Sequence, residues 1–190
     1  MFFSARLFQS NFNLIGNTID KQTPFSYFAI IPYYIWFILL LFVPYYYYKK
    51  DKLTLCKYAA SYIMCVLIAD IIFIAYPTII ERPVVEIKGL LSFMTWFIYW
   101  VDNPPINCLP SLHCAISMLY ILTAFSSKYV STRFKVIITI LGILVMVSTL
   151  VIKQHVLIDL ITGDIIMTVC FLIVCNNKYI LSKTKKLLKI

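Results

Sequence analysis

Charged residues are scarce in this chain. Lysine, arginine, aspartate and glutamate together make up 13% of its 190 residues, whereas roughly 25% is usual in globular proteins. Hydrophobic residues account for 62%, and the mean hydropathy is +0.87. This balance excludes an ordinary water-soluble protein and is typical of an integral membrane protein. The length fits one compact helical domain.

Acidic residues and paired cysteine motifs are also lacking. There are 8 acidic residues against 17 basic ones, which gives a net charge of +9. Because the basic residues concentrate in short connections and at the C-terminus, they indicate membrane topology signals and not a nucleic-acid-binding surface. The 6 cysteines form no C-x-x-C pair, so the sequence predicts no structural zinc site.

Apolar segments long enough to cross a bilayer, which takes about 20 residues, dominate the middle of the chain. They are predicted at Phe25–Tyr47, Leu53–Tyr76, Leu109–Phe125, Val136–Ile152 and His155–Cys175. The shorter stretch Gly89–Val101 is rich in aromatic residues, which prefer the headgroup level, so it is predicted to be an interfacial or re-entrant helix. The sequence therefore predicts an all-α membrane helical bundle of about five transmembrane spans.

The two ends of the chain differ from this transmembrane domain, which is predicted over residues 25–175. The N-terminus lacks the unbroken apolar core of a signal peptide, because several asparagines interrupt it. Residues 1–24 are therefore predicted to form an interfacial segment. Residues 176–190 carry five lysines and no acid, so they are predicted to form a basic cytoplasmic tail.

Three basic regions predict the orientation in the membrane. They are the connection 49–57, the connection 128–135 and the C-terminal tail. Even numbers of predicted spans separate them, so the positive-inside rule places all three in the cytoplasm and the N-terminus outside. The chain is accordingly predicted to reside in a plasma membrane of bacterial type.

Only two histidines occur, and both lie at the edges of apolar segments. His155 and Asp159 are spaced i, i+4, so they face the same side of a helix. A carboxylate bonded to one imidazole nitrogen fixes the tautomer and makes the other nitrogen more basic, as a nucleophile or base requires. His113 follows Pro110 and Ser111 at a predicted helix start, where free amides bind anions. Taken singly, each motif also fits a merely structural role.

The motifs form an ordered series. Arg82-Pro83 comes first, Pro110-Ser111-x-His113 second and Ser148-x6-His155-x3-Asp159 third. In order, spacing and helix context they resemble the type-2 phosphatidic acid phosphatase superfamily, over roughly Tyr76 to Gly163. The resemblance implies a lipid-phosphate phosphatase that forms a phosphohistidine at the extracytoplasmic face and needs no metal or other cofactor. Its partner would be a lipid phosphate in the bilayer.

The resemblance also implies a role for each motif residue. His155 would be the nucleophile, Asp159 would orient it, and His113 would protonate the leaving oxygen. The phosphate would be bound by three further motif residues, namely Arg82, Ser111 and Ser148.

Three positions depart from the family pattern. Ala75 stands where the family has a lysine, Leu112 where it has a glycine, and Thr149 where it has an arginine. Two cations of the phosphate site are thus missing. Lys153, two residues before the expected nucleophile, is predicted to supply a replacement charge.

Other functions stay open at this point. The P-S-L-H form also resembles the inositol-phosphoceramide synthase branch, whose members transfer a phosphoryl headgroup to a lipid alcohol. The missing cations leave room for a non-catalytic member that only binds lipid. Two helix-borne histidines would also suit a bis-histidine haem protein. The sequence does not reveal the lipid or the oligomeric state.

Overall fold

A computed structural model describes residues 11–189, and most of this part of the chain is helical. In chain order its elements are β1 Asn13–Leu14, α1 Thr18–Gln22, a 3-10 turn Tyr27–Ala29, α2 Ile30–Lys50, α3 Lys52–Ala75, β2 Thr78–Ile79, α4 Leu90–Val101, α5 Leu112–Ser126, α6 Thr132–Val151, α7 Leu157–Asn176 and α8 Lys178–Leu188. The predicted all-α class is confirmed, with two short strands that the sequence did not suggest.

Within residues 11–189, four helices are long and apolar enough to cross a membrane. They cover Tyr27–Lys50, Lys52–Ala75, Thr132–Val151 and Leu157–Asn176, each within a few residues of a predicted span. The remaining predicted span forms α5, which has 15 residues. At 1.5 Å per residue α5 is ~22 Å long, against a hydrocarbon core of about 30 Å. The count of five spans therefore stays a prediction.

The long helices are apolar on both their inner and outer faces. In α2 the inward positions Tyr33, Trp36, Val43 and Tyr47 are buried, while Leu41 on the outer face is 78% exposed. A helix that is apolar all round either lies inside a large core or spans a membrane. A chain of 190 residues has no core large enough to cover four such helices, so the outer faces are membrane-facing.

Helix α5 lies at the centre of the bundle, packed against α3, α6 and α7. Just beyond its C-terminal end, the hydroxyl of Ser127 donates to Asp51 Oδ2 at 2.6 Å, and Lys57 Nζ donates to Ser126 Oγ at 3.5 Å. The two basic connections therefore meet at one end of the bundle. His113, in the first turn of α5, lies toward the opposite end.

An N-terminal segment, residues 13–26, lies across the histidine end of the bundle. Strand β1 pairs with β2 in parallel, with Asn13 opposite Thr78. The amide of Ser26 donates to the carbonyl of Val151 at 3.4 Å. These contacts attach the N-terminal segment to the strand that follows α3 and to the last residue of α6. Residues 1–10, the start of the predicted interfacial segment, lie outside the described residues.

Candidate active site

The loop between α6 and α7 holds His155 against a carboxylate. Asp159, in the first turn of α7, is fully buried, and its Oδ2 lies 3.1 Å from His155 Nδ1. The same oxygen accepts the amide of Val156 at 3.1 Å. The carbonyl of Thr149 accepts the amides of Gln154 and His155 at 2.8 and 3.1 Å. The imidazole therefore has a fixed position. An ionised Asp159 accepts a hydrogen bond from Nδ1–H, and this tautomer leaves the lone pair on Nε2.

The second histidine contacts the first directly. Nδ1 of His113 lies 3.2 Å from Nε2 of His155. On its other side, Nε2 of His113 lies 3.0 Å from the hydroxyl of Tyr33 on α2. The Trp36 ring covers the imidazole, with ring centroids 4.4 Å apart. Tyr33, His113, His155 and Asp159 thus form one hydrogen-bonded series.

A cavity of about 300 Å³ opens beside this series. Its lining is mainly apolar, with contributions from Trp36 and Phe73. Polar residues also line it, among them Arg82, Asn107 and Gln154. The cavity therefore joins an apolar surface to hydrogen-bond donors at the histidine pair, as a site for an amphipathic molecule requires.

Arg82 is fixed in place by Asp102. Its Nη2 lies 2.7 Å from Asp102 Oδ2 and its Nη1 donates to the Asp102 carbonyl at 3.1 Å. Nε2 of Gln154 donates to the same carboxylate oxygen at 2.7 Å. The guanidinium also lies 5.0 Å from the centre of the Tyr99 ring. These contacts restrict the rotation of the Arg82 side chain and hold its positive charge beside the histidines.

Several polar atoms of the lining residues are buried without a hydrogen-bond partner among residues 11–189. They are Nε of Arg82, Nδ2 and Oδ1 of Asn107, and Oε1 of Gln154. Buried polar groups are nearly always satisfied, so such atoms mark places where a polar ligand binds. Two of the four are N–H groups, which suit an anion.

The two motif serines have local roles in this structure. Ser111 caps α5, and its Oγ accepts the amide of Cys114 at 3.3 Å. The hydroxyl of Ser148 donates to the carbonyl of Val145, one turn earlier in α6, at 2.6 Å. Both residues are buried. The structure does not bring either hydroxyl into contact with a histidine, so their phosphate-binding role stays a prediction.

Lys153 lies near His155 but contacts the N-terminal segment. Its backbone is left-handed, with φ 54°, and its Nζ donates to the carbonyls of Asp20 and Thr23. The Asp20 carboxylate in turn accepts the amide of Leu157 at 2.8 Å. Lys153 therefore holds the segment to the bundle here, and its role as a phosphate ligand also stays a prediction.

A second, larger cavity of about 730 Å³ lies beneath the N-terminal segment. Its lining is mixed: apolar residues such as Phe25 lie beside the polar Asn17, Asp20 and Lys153, and the cavity reaches Arg82 and His155. Arg82 and His155 thus line both cavities, which gives the site two approaches.

Sequence reasoning missed four residues of this site. Asp102, Asn107 and Gln154 are polar residues in connections next to the motifs, and that position is the only signal that would have found them. Tyr33 carries no signal at all, because it is one of several aromatic residues in an apolar helix.

Comparison of the chain with protein-family models, with curated proteins and with solved structures gave no match. The resemblance to the type-2 phosphatidic acid phosphatase superfamily therefore rests on the motif residues alone. Of these, the structure brings together His113, His155, Asp159 and Arg82.

Proposed function

We propose that this protein is a membrane lipid-phosphate phosphatase that hydrolyses a phosphate monoester or diphosphate of a lipid through a phosphohistidine. One observation carries the proposal. The His113–His155 pair, oriented by Asp159, borders a mainly apolar cavity whose lining includes the largely buried side chain of Arg82. A lipid phosphate has the matching combination of an apolar chain and an anionic head.

In the first half of the proposed reaction His155 is the nucleophile. Its Nε2 forms a bond to phosphorus while the bond from phosphorus to the lipid oxygen breaks. His113, protonated on both nitrogens at this stage, gives its Nδ1 proton to that oxygen and becomes neutral. A monoester thereby releases the lipid as an alcohol, and a diphosphate releases the lipid monophosphate. The phosphoryl group enters between the two rings. Their facing nitrogens are 3.2 Å apart in the structure, before substrate binds. Arg82 stabilises the charge that develops on the phosphoryl oxygens.

The second half releases phosphate by hydrolysis. A water molecule attacks phosphorus, His113 takes its proton, and the bond between phosphorus and His155 breaks. Asp159 stabilises the imidazole in both halves of the reaction, because its carboxylate accepts a hydrogen bond from Nδ1–H of His155 throughout. The histidine that acts as an acid first and a base second returns to its starting state.

The membrane arrangement forms part of the proposal. We propose that α5 is a fifth span, that the N-terminus lies outside, and that the site faces the extracytoplasmic leaflet. The basic connections and the tail then lie on the cytoplasmic side, in accord with the positive-inside rule.

A phosphotransferase is the second candidate, and the larger cavity favours it. That cavity reaches His155 from beneath the N-terminal segment, and its lining includes the polar residues Asn17, Asp20 and Lys153. An alcohol bound there would compete with water for the phosphohistidine. A bis-histidine haem protein fits less well, because a porphyrin ring must lie between its two ligating nitrogens, and these nitrogens contact each other.

The test is a phosphate-release assay on purified protein. The panel consists of phosphatidate, phosphatidylglycerophosphate and a polyprenyl diphosphate, each with and without an alcohol acceptor. We expect release from at least one lipid by the native chain and none by the His155→Ala variant. Phosphorylated alcohol in place of free phosphate would identify the transferase. No turnover of any lipid under either condition would favour a non-catalytic lipid-binding protein.

A further inference from the structure

The hydroxyl of Tyr33 is bonded to the histidine proposed as the acid, although it comes from a distant helix. Tyr33 is 2% exposed, and its oxygen lies 3.0 Å from Nε2 of His113. The ring of Tyr33 packs on the imidazole at a centroid distance of 5.0 Å, and Trp36, one turn later in α2, packs at 4.4 Å. Helix α2 therefore fixes both the plane of His113 and one of its nitrogens.

The protons along the series follow from its last member. An ionised Asp159 can only accept, so Nδ1 of His155 donates to it and Nε2 of His155 is an acceptor. Nδ1 of His113 must then be the donor to that nitrogen. In a neutral His113, Nε2 is left as an acceptor, and the Tyr33 hydroxyl donates to it. One arrangement of protons satisfies all three contacts.

We propose that Tyr33 is a positioning residue: its hydrogen bond to Nε2 of His113 keeps Nδ1 directed at His155, where the proton transfer takes place. A phenol oxygen both donates and accepts, so it holds Nε2 whether His113 is neutral or protonated on both nitrogens. Nδ1 then always faces the nucleophile, where the leaving oxygen is expelled. Without the hydroxyl, the contact with His155 alone favours the Nδ1–H tautomer of a neutral His113, so the preference weakens and the Nε2–H tautomer becomes populated.

The same contacts give the resting site a closed state. Nδ1–H of His113 donates a hydrogen bond to the lone pair on Nε2 of His155. This hydrogen bond persists until a phosphoryl group enters between the two rings. The nucleophile is thereby protected, and His113 is already aligned when the substrate enters. It becomes the acid by taking a second proton from solvent on Nε2, which then donates to the Tyr33 oxygen. This inference rests on the proposed function for its chemistry and on hydrogen-bond geometry for its structural part.

Two variants separate positioning from a general structural role. Tyr33→Phe removes one oxygen and keeps the ring. Tyr34→Phe is the matched control, because Tyr34 donates to the carbonyl of Met94 at 3.4 Å and not to a histidine. Thermal unfolding checks that both variants are folded.

The first readout is independent of activity. The chain contains two histidines, so nitrogen NMR of isotope-labelled histidine resolves both imidazoles in the full-length protein. We expect the native chain and Tyr34→Phe to show a single tautomer of His113, protonated at Nδ1. We expect Tyr33→Phe to show a mixture. An unchanged spectrum in Tyr33→Phe would overturn the proposal.

The second readout is the rate of phosphohistidine formation in a single turnover. A lipid alkoxide needs a proton to leave, whereas a nitrophenolate does not. Tyr33→Phe should therefore lose about 10²-fold on the lipid phosphate and little on p-nitrophenyl phosphate. Equal losses on both substrates would contradict positioning of the acid. If the native chain forms no phosphohistidine from either substrate, the proposed function fails, and the NMR result still decides the Tyr33 contact.

Discussion

The backbone of Ser111 is bonded to the backbone of Asp159, with the serine amide donating to the aspartate carbonyl at 3.0 Å. This contact joins the start of α5, which carries His113, to the start of α7, which follows His155. Neither end of the site can move without the other. The alignment of the two histidines therefore depends on close packing of α5 against α7.

Gly163 makes that close packing possible, so its replacement should damage the site. A Cβ added at Gly163 would lie 2.4 Å from the carbonyl oxygen of Ser111. Overpacking of this kind destabilises by roughly 1–3 kcal/mol, which outweighs the helix-propensity gain of about 1 kcal/mol for alanine. We expect Gly163→Ala to lower the thermal midpoint and the rate of phosphate release together. Gly89→Ala, where the added Cβ meets nothing within 4 Å, is the control, and equal behaviour of the two variants would refute the prediction.

Replacement of Asp159 should separate folding from catalysis. Asp159→Asn keeps the size of the side chain and the bond to the Val156 amide, but it removes the charge that fixes the Nδ1 proton of His155. We expect the fold to persist and kcat to fall on the order of 10⁴-fold. Asp164→Asn lies on the same helix away from His155 and should retain activity. A near-native kcat for Asp159→Asn would show that the carboxylate does not orient the nucleophile.

Lys153 should contribute more to holding the N-terminal segment than to binding phosphate. Lys153→Met removes two charged hydrogen bonds to Asp20 and Thr23, each worth about 1.5–3 kcal/mol. Amide hydrogen exchange in residues 17–23 should become faster, and Lys153→Arg should restore part of the protection. Unchanged exchange combined with a large loss of kcat would instead support the phosphate-binding role.

Asp51 should make stability at the opposite end of the bundle depend on pH. Burial acts to raise the pKa of Asp51, but hydrogen bonds from Ser127 and Thr54 outweigh it and hold the pKa below its usual range. The stabilisation is therefore complete above about pH 4, the value for an unfolded aspartate, and is lost as pH falls through the folded pKa. Asp51→Asn keeps the helix cap but should remove this dependence. If the free energy of unfolding changed in parallel for the native chain and Asp51→Asn across pH 2–7, the predicted role of Asp51 would be contradicted.

The parts of the molecule that depend on local spacing were predictable from the sequence. Four spans agree within a few residues because hydropathy is summed along one helix. The contact between His155 and Asp159 was predicted from their i, i+4 spacing. It forms although His155 lies in the loop before α7 and not on the helix as predicted, because Asp159 lies in the first turn of that helix. Helix α5 begins at Leu112, three residues after the start of the predicted span, because Ser111 caps it.

Contacts between distant segments could not be predicted. The bond from Tyr33 to His113 joins residues 80 positions apart, and nothing distinguishes Tyr33 among 14 tyrosines. The direction in which the Lys153 side chain points depends on the path of the N-terminal segment. The sequence of that segment has no periodic pattern of apolar residues from which its path could be predicted. The ion pair of Arg82 with Asp102 likewise depends on two loops that meet only in the folded chain.

Attachment of phosphorus to His155 is the most direct test of the proposed function. The full-length protein, in detergent or in vesicles, is mixed with a radiolabelled lipid phosphate and quenched in alkali, which preserves phosphohistidine. Digestion and mass spectrometry then locate the label. We predict an acid-labile phosphoryl group on His155 in the native chain and none in His155→Ala. Phosphate release by the native chain with no label on His155, or with release retained in His155→Ala, would contradict the phosphohistidine mechanism.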